Sequence, residues 1–253
     1  MTQNIIAVVN QKGGVGKTTT AINVAAELAG KSTPVLLLDL DPQGNASSGL
    51  GIQKEQASKT TNELLMGTAT LADCIHQSHI PGLYVLPANS SLAAAEVNLV
   101  GKPQREFALK RGLQSSTFKY ILIDCPPSLG LLTINGLTAA STVLIPVQAE
   151  YYALEGLSQL LDTVGAVRGS TNPYLDLLGI ALTMYDRRNS LSEQVKAELS
   201  KYFGDKLFNT IVPRNVRLAE APSYGKTIYE HDRWSKGSRS YKSLTKEIKS
   251  RLV

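Results

Sequence analysis

The segment Lys12-Gly13-Gly14-Val15-Gly16-Lys17-Thr18-Thr19 is the densest source of chemistry in the 253-residue chain. Its glycines admit backbone conformations closed to other residues, so several N–H groups can converge on one set of phosphate oxygens. A helix starting at Lys17 would add the positive end of its dipole at the same point. Lys17 then acts as a mobile cation for β- and γ-phosphates, and the Thr18 hydroxyl is placed to ligate Mg²⁺. This combination predicts a nucleoside triphosphate site. The pattern departs from the common GxxxxGK[ST] form, because Gln11 stands where the first glycine belongs and a second lysine, Lys12, follows it.

A dinucleotide site is the competing reading, since Gly14-x-Gly16 follows an apolar run and Asp39 ends the next one, as a ribose-binding acid would. The third glycine of that motif would fall at Thr19, however, and the motif has no use for a Lys-Thr pair. Three carboxylates complete the candidate machinery. Asp124 ends an apolar run, where it can hold the shell of a Mg²⁺ ion through water. Asp39 and Asp41 flank Leu40; a period of two puts both on one side of an extended segment, so spacing alone does not divide their roles. Cys74, His76 and His79 lie close in sequence, but no fourth ligand follows at finger spacing, and an ordinary surface helix is the expectation there.

Elements must hold these groups in place. Apolar runs of strand length alternate with segments of helical period, the pattern of a parallel sheet covered by helices on both faces. Strands are expected at residues 5–10, 35–40, 83–87, 120–124, 142–147, 177–183 and 207–211. Helices are expected at residues 17–30, 91–99, 104–115, 131–140, 154–168, 190–203 and 238–252. The fold class is therefore α/β, a doubly wound and mostly parallel sheet, with residues 1–253 forming a single domain. Residues 51–81 are the least regular; they carry a short helical signal at 62–66 and are expected to cross between strands.

Composition agrees: 43% hydrophobic and 19% charged residues supply a real core and exclude disorder as the main state. The early apolar run, residues 5–9, falls far short of the roughly 20 needed to span a bilayer. No basic segment precedes it, so a soluble chain without a secretory signal is expected. Two cysteines form no disulfide framework, which fits a reducing cytosol. The net charge of +5 is uneven, for residues 1–210 hold 16 Lys and Arg against 17 Asp and Glu, whereas residues 211–253 hold 10 against 4. A basic end of this kind suits a polyanion or an anionic membrane, and a solvated basic face equally well.

The lysine-bearing loop resembles the deviant Walker A motif of the ParA/Soj family, within the MinD/ParA group of P-loop ATPases. Leu38-Asp-Leu-Asp-Pro-Gln-Gly-Asn45, Ile121-Leu-Ile-Asp-Cys-Pro-Pro-Ser128, Pro146-Val-Gln-Ala-Glu-Tyr-Tyr-Ala-Leu-Glu-Gly156 and Pro213-Arg-Asn-Val-Arg-Leu-Ala-Glu-Ala-Pro-Ser-Tyr-Gly-Lys226 extend the resemblance across nearly the whole chain. It implies an ATPase in which residues Gln11 to Thr19 (Gln11, Lys12, Gly13, Gly14, Val15, Gly16, Lys17, Thr18, Thr19) bind ATP. In such proteins the lysine at Lys12 reaches the phosphates held by the other subunit of an ATP-bound homodimer. Asp41 would then position the attacking water, and Asp39 would support Mg²⁺ with Thr18 and Asp124. Pro213 and Asn215 match positions framing adenine, although an asparagine in a strand-to-helix turn also serves as a plain cap. Cys125 invites comparison with relatives that hold an iron–sulfur cluster, but its Pro126-Pro127 surroundings favour a buried, inert cysteine.

The resemblance also implies partners. Arg188 and Arg217 match positions of DNA contact in Soj relatives, with Lys226, Arg233, Lys236, Arg239, Lys242 and Lys246 as secondary candidates. Nonspecific double-stranded DNA, a ParB-like centromere-binding protein and a cytoplasmic, nucleoid-associated location follow, and no membrane is expected. No helix-turn-helix extension is expected ahead of the first strand, so operator repression is not. The alternative is a MinD-like membrane-surface ATPase that positions the division site; Tyr241, Leu244, Ile248 and Leu252 give the last helix a narrow apolar stripe without Trp or Phe, which fits packing on the sheet better. A third reading, a metabolic P-loop enzyme acting on a small carboxylated substrate, lacks a distinct substrate motif.

Overall fold

Apolar runs near the start form β1 (Asn4–Val8) and β2 (Val35–Asp39), joined by α1 (Lys17–Leu28). The computed structural model describes residues 3–150 and 153–252; Tyr151 and Tyr152 of the 146–156 motif lie outside them. Short elements come next: α2 (Asn45–Gly49), α3 (Thr61–Met66), α4 (Leu71–Cys74), β3 (His76–Gln77) and β4 (Leu83–Leu86). Capping boxes start α3 and α4, Thr60 with Glu63 and Thr70 with Asp73, which lets such brief helices persist. Regular alternation resumes with α5 (Ser91–Leu99), α6 (Ala108–Gly112), β5 (Tyr120–Asp124), α7 (Leu131–Ala139), β6 (Thr142–Gln148), α8 (Ala153–Arg168) and β7 (Asp176–Thr183). The chain finishes in α9 (Ser190–Phe203), α10 (Val216–Glu220), α11 (Ile228–Asp232) and α12 (Lys236–Arg251).

The strands form one sheet in the order β3-β4-β2-β5-β1-β6-β7, parallel except for β3. Alternate strand residues feed two cores. Ala7, Leu36, Leu38, Ile121 and Ile123 face α5 to α9, while Ile6, Val8, Val35, Leu37 and Leu122 face α1 and α12. The stripe on α12 belongs to the second core: Tyr241, Leu244 and Ile248 are at most 1% exposed. The Tyr241 hydroxyl lies 3.0 Å from Thr20 Oγ1 on α1, so α12 is keyed to the helix that follows the glycine-rich loop.

Two expectations need correction. Residues 207–211 form no strand; they meet β7 at an isolated bridge, Ile180 with Leu207, where the Phe208 amide donates to Ile180 O at 2.9 Å. The Glu247 carboxylate of α12 accepts from the Asn209 and Thr210 amides at 2.8 and 3.0 Å, taking donors that a ladder would need. The seventh strand is instead β3, on the opposite edge. The helix expected at 104–115 is instead a 3₁₀ turn at Arg105–Phe107 followed by the short α6, and Gln104, left-handed with φ of 50°, stands outside both. The irregular 51–81 stretch does cross between β2 and β4, and its helical signal becomes α3.

Candidate nucleotide site and basic flank

The register of the central strands brings the predicted chemistry to one place. Val8, where β1 enters the glycine-rich loop, lies opposite Asp124, and so does Asp39 from the other side. Gly14 and Gly16 take φ of 76° and 88°, the left-handed region that a side chain disfavours. Gly16 caps α1 without any side-chain partner for the first-turn amides, which leaves those donors for an anion. The loop is braced from below. Asn10 donates to Pro146 O at 2.8 Å and accepts from the Lys12 amide at 2.9 Å, and Thr183 Oγ1 donates to Val15 O at 2.8 Å.

Lys17 is buried, and its ammonium donates to Lys12 O at 2.9 Å inside the loop. Burial holds its pKa below the ordinary lysine value, against the pull of Asp124, Cys125 and Asp41. Gly13, Gly14, Gly16, Lys17, Thr18, Thr19 and Asp41 line an open cleft of about 510 Å³, with Asn45, Pro127 and Ser223 on other walls. Lys12 behaves differently. It is exposed, pairs with Glu150 after β6, and lines a neighbouring cleft of about 310 Å³ with Gln11. Gln11 donates to Gly156 O at 3.2 Å and Gln159 Oε1 at 2.9 Å.

The three carboxylates are distinct in their surroundings. Asp39 is fully buried; one oxygen accepts from the Ser47 amide and hydroxyl at 2.8 and 2.7 Å, and the other from the Asp41 amide at 3.2 Å. Burial raises its pKa to about 6 despite these bonds, with the neighbouring Asp41 charge adding to the rise. Asp41 accepts from the Gln43 amide at 2.9 Å and faces the cleft. Asp124 is fully buried, and neither of its oxygens has a hydrogen-bond partner. Burial and then the Asp39 charge push its pKa well up, while the nearby Thr18 hydroxyl, short of hydrogen-bond geometry, and the Lys17 charge pull it down. An orphaned buried carboxylate beside Thr18 fits a divalent cation, which needs only one or two carboxylates when phosphates supply the rest. Ser47 was not legible as a partner of Asp39, because eight residues separate them and no local motif links the two.

Other candidates fall elsewhere. Among the described residues Cys74, His76 and His79 gather no metal-holding cluster, and His79 pairs with Glu230 at 2.9 Å. Cys125 is 1% exposed, its thiol pushed up by burial, too deep to reach a subunit surface. Pro213 and Asn215 line a pocket of about 340 Å³ together with Gly16 and Thr19, so it opens onto the loop. Asn215 is also the cap of α10, accepting from the Arg217 amide at 2.9 Å, so the cap role is the one the structure shows.

On the far side of Pro213–Val216 lies a groove of about 810 Å³ lined by Arg187, Arg188, Arg214, Lys236 and Arg239, among others. Arg188 is forked onto Asp186 at 2.9 and 3.1 Å, which holds that carboxyl down at about 2. Arg217 donates to Glu220 at 2.9 Å, and His231 reaches the same oxygen at 3.3 Å. Arg187, Arg214, Lys236 and Arg239 make no ion pair among the described residues. In the sequence, Arg187 and Arg214 are marked only by their position beside Arg188 and near Arg217.

Residues 3–177 match the family model described as an AAA domain. The chain is 53% identical over 246 residues to sporulation initiation inhibitor protein Soj of Bacillus subtilis, covering 96% of this chain and 97% of the relative. It is 49% identical over 251 residues to chromosome partitioning protein ParA of Caulobacter vibrioides, covering 98% and 94%. A solved structure of cobyrinic acid a,c-diamide synthase from Mycobacterium smegmatis, with bound ATP analogue and magnesium, is similar at a TM-score of 0.84 and 37% identity, over 97% of this chain and 93% of that one. About half of all positions are shared across nearly the whole length, on a sheet that assembles the deviant loop as expected, so the chain belongs to the ParA/Soj family of chromosome-partitioning P-loop ATPases.

Proposed function

We propose that this chain is a Mg²⁺-dependent ATP hydrolase that cycles between an ADP-bound or empty monomer and an ATP-bound sandwich dimer on nonspecific DNA. One observation carries the reading: a buried lysine and a buried, unpartnered carboxylate stand together beneath an uncapped helix N-terminus at the strand ends. Residues 1–253 act as one ATPase domain whose basic segment, 211–253, serves the polyanion. Gln11 to Thr19 bind the triphosphate, and Pro213 and Asn215 frame the adenine. Thr18 and Asp124 hold Mg²⁺, which when bound neutralises charge on the phosphate oxygens. Asp39 acts behind them, fixing the turn that carries Asp41 through Ser47 and the Asp41 amide. Asp41, with one oxygen held by Gln43, orients a water with the other. Lys12 exchanges Glu150 for the phosphates of the second subunit, so that two lysines offset the charge only when two chains close.

Dimerisation doubles the basic flank, and phosphate contacts need only charges that can approach the duplex. Arg188 and Arg217 contribute after leaving their acidic partners; Arg187, Arg214, Lys236 and Arg239 contribute directly. A ParB-like protein stimulates hydrolysis and releases the dimer, in the cytoplasm and at the nucleoid. No helix among the described residues is long and apolar enough to cross a membrane. The apolar stripe of α12 lies in the core, which disfavours the MinD-like, surface-bound alternative. Likeness to the M. smegmatis enzyme favours a second reading, ATP-dependent amidation of a small carboxylate. Cosedimentation with DNA or anionic liposomes, with ATP against ADP over a salt series, tests the proposal. ATP-dependent, salt-sensitive DNA binding is expected. Binding without nucleotide, or to liposomes alone, would overturn it, and hydrolysis that requires an added carboxylate would favour the second reading.

A further inference from the structure

We infer that Glu96 of α5 is a positioning residue for hydrolysis: it caps α7 from outside and so holds the segment that follows Asp124. The inference rests on the ATPase reading above. That segment, residues 125–130, leaves Asp124, passes Pro127 in the wall of the phosphate cleft, and ends at the first turn of α7. α7 begins on Gly130, which offers no side chain to its free amides. Glu96 supplies the cap instead, its Oε1 accepting from the Leu132 amide at 3.3 Å across 36 residues of sequence. A Cβ at Gly130 would collide with that same oxygen, so the bare N-cap is what admits the carboxylate. Its negative charge also suits the helix N-terminus.

The rest of α7 is anchored independently. Asn135, fully buried, donates to Arg105 O at 3.0 Å and accepts from the Leu109 amide at 3.1 Å. Gly136 packs so near Cys125 that a Cβ there would stand 2.9 Å from its Sγ. Thr133 Oγ1 donates to Ser128 O at 2.7 Å, tying the first turn back onto the segment. Removing the Glu96 carboxylate therefore frees the first turn and the segment attached to it, while the helix stays in place. Glu96 touches neither phosphate nor metal residue; it acts through the Leu132 amide.

Glu96→Ala and Glu96→Gln separate this role from a general structural one. Steady-state ATP turnover, nucleotide Kd and hydrogen exchange at the Leu132 amide are measured on each variant and on the wild-type chain, with melting curves to check folding. For Glu96→Ala, kcat is expected to fall about tenfold while Kd stays within about twofold, the signature of misplacement rather than lost binding. Glu96→Gln keeps an acceptor oxygen and should restore turnover, and faster Leu132 exchange should appear in the alanine variant alone. Normal turnover in Glu96→Ala, equal loss in both variants, or a Kd that weakens in step with kcat would overturn the inference. A wild-type chain that leaves ATP intact would overturn the ATPase reading, and exchange at Leu132 would still decide whether Glu96 is the cap.

Discussion

The phosphate end and the basic flank share the wall formed by Pro213–Val216, yet they are built on opposite principles. At the phosphate end the charges are buried and few, and they depend on one another. Lys17 has its pKa lowered, while Asp39 and Asp124 have theirs raised, and the Asp124 oxygens lack hydrogen-bond partners. On the flank the charges are exposed and numerous, and two of them, Arg188 and Arg217, are already paired with acids beside them. Low dielectric makes each group at the first site count heavily, whereas water and salt make each group at the second count little and add up. Under the proposed function, a single small ligand would switch the chain at one end while a long polyanion is held loosely at the other.

Lys17→Ala should break the first region most completely: loss of a buried, charge-assisted contact predicts roughly 100-fold weaker nucleotide binding, read by fluorescence titration. Asp41→Ala should leave nucleotide binding intact and stall the cycle, giving an ATP dimer that persists on DNA; unchanged turnover would move the water-orienting role to another group. Lys12→Ala should bind nucleotide normally and lose the ATP dimer by light scattering. Its melting temperature should hardly move, because the exposed pair with Glu150 is worth less than about 1 kcal/mol.

Asp124→Asn tests the buried charge through pH. Folded wild-type protein keeps its proton to a higher pH than the unfolded chain does, so its stability falls as pH rises through that window. Without Mg²⁺ at pH 7 the asparagine variant should be more stable by roughly 1–3 kcal/mol in urea unfolding, and the gap should close on acidification. Asp39, raised to about 6, adds a slope of the same sign in both proteins. The smallest effects belong to the flank. Arg239→Glu and Lys236→Glu should each lower the salt slope of DNA binding by about 1, and Arg217→Glu should weaken DNA binding with the dimer intact.

The phosphate end was the more legible region because local rules write it: glycines where φ turns positive, a lysine and threonine at the start of a helix, acids at strand ends. The strand expected at 207–211 failed because a distant carboxylate, Glu247, competes for its amides. Arg188 and Arg217 were readable as cations but not as paired ones, since Asp186 and Glu220 sit only two and three residues away and geometry alone decides whether such neighbours meet. The basic excess of residues 211–253 was likewise visible, but not that Arg187 and Arg188, from before α9, complete the groove with it.

By itself, then, the amino-acid sequence determined the family, the alternation of strands and helices, and the loop that receives phosphate, because each depends on residues within a few positions of one another. Tertiary structure decided how the three acids differ: Asp39 satisfied by Ser47, Asp41 facing the cleft, Asp124 left without a partner. It also brought Glu96 of α5 to the first turn of α7 and set two lysines of one motif in separate clefts. Burial and long-range hydrogen bonds set those differences, and both arise only when strands far apart in sequence lie side by side.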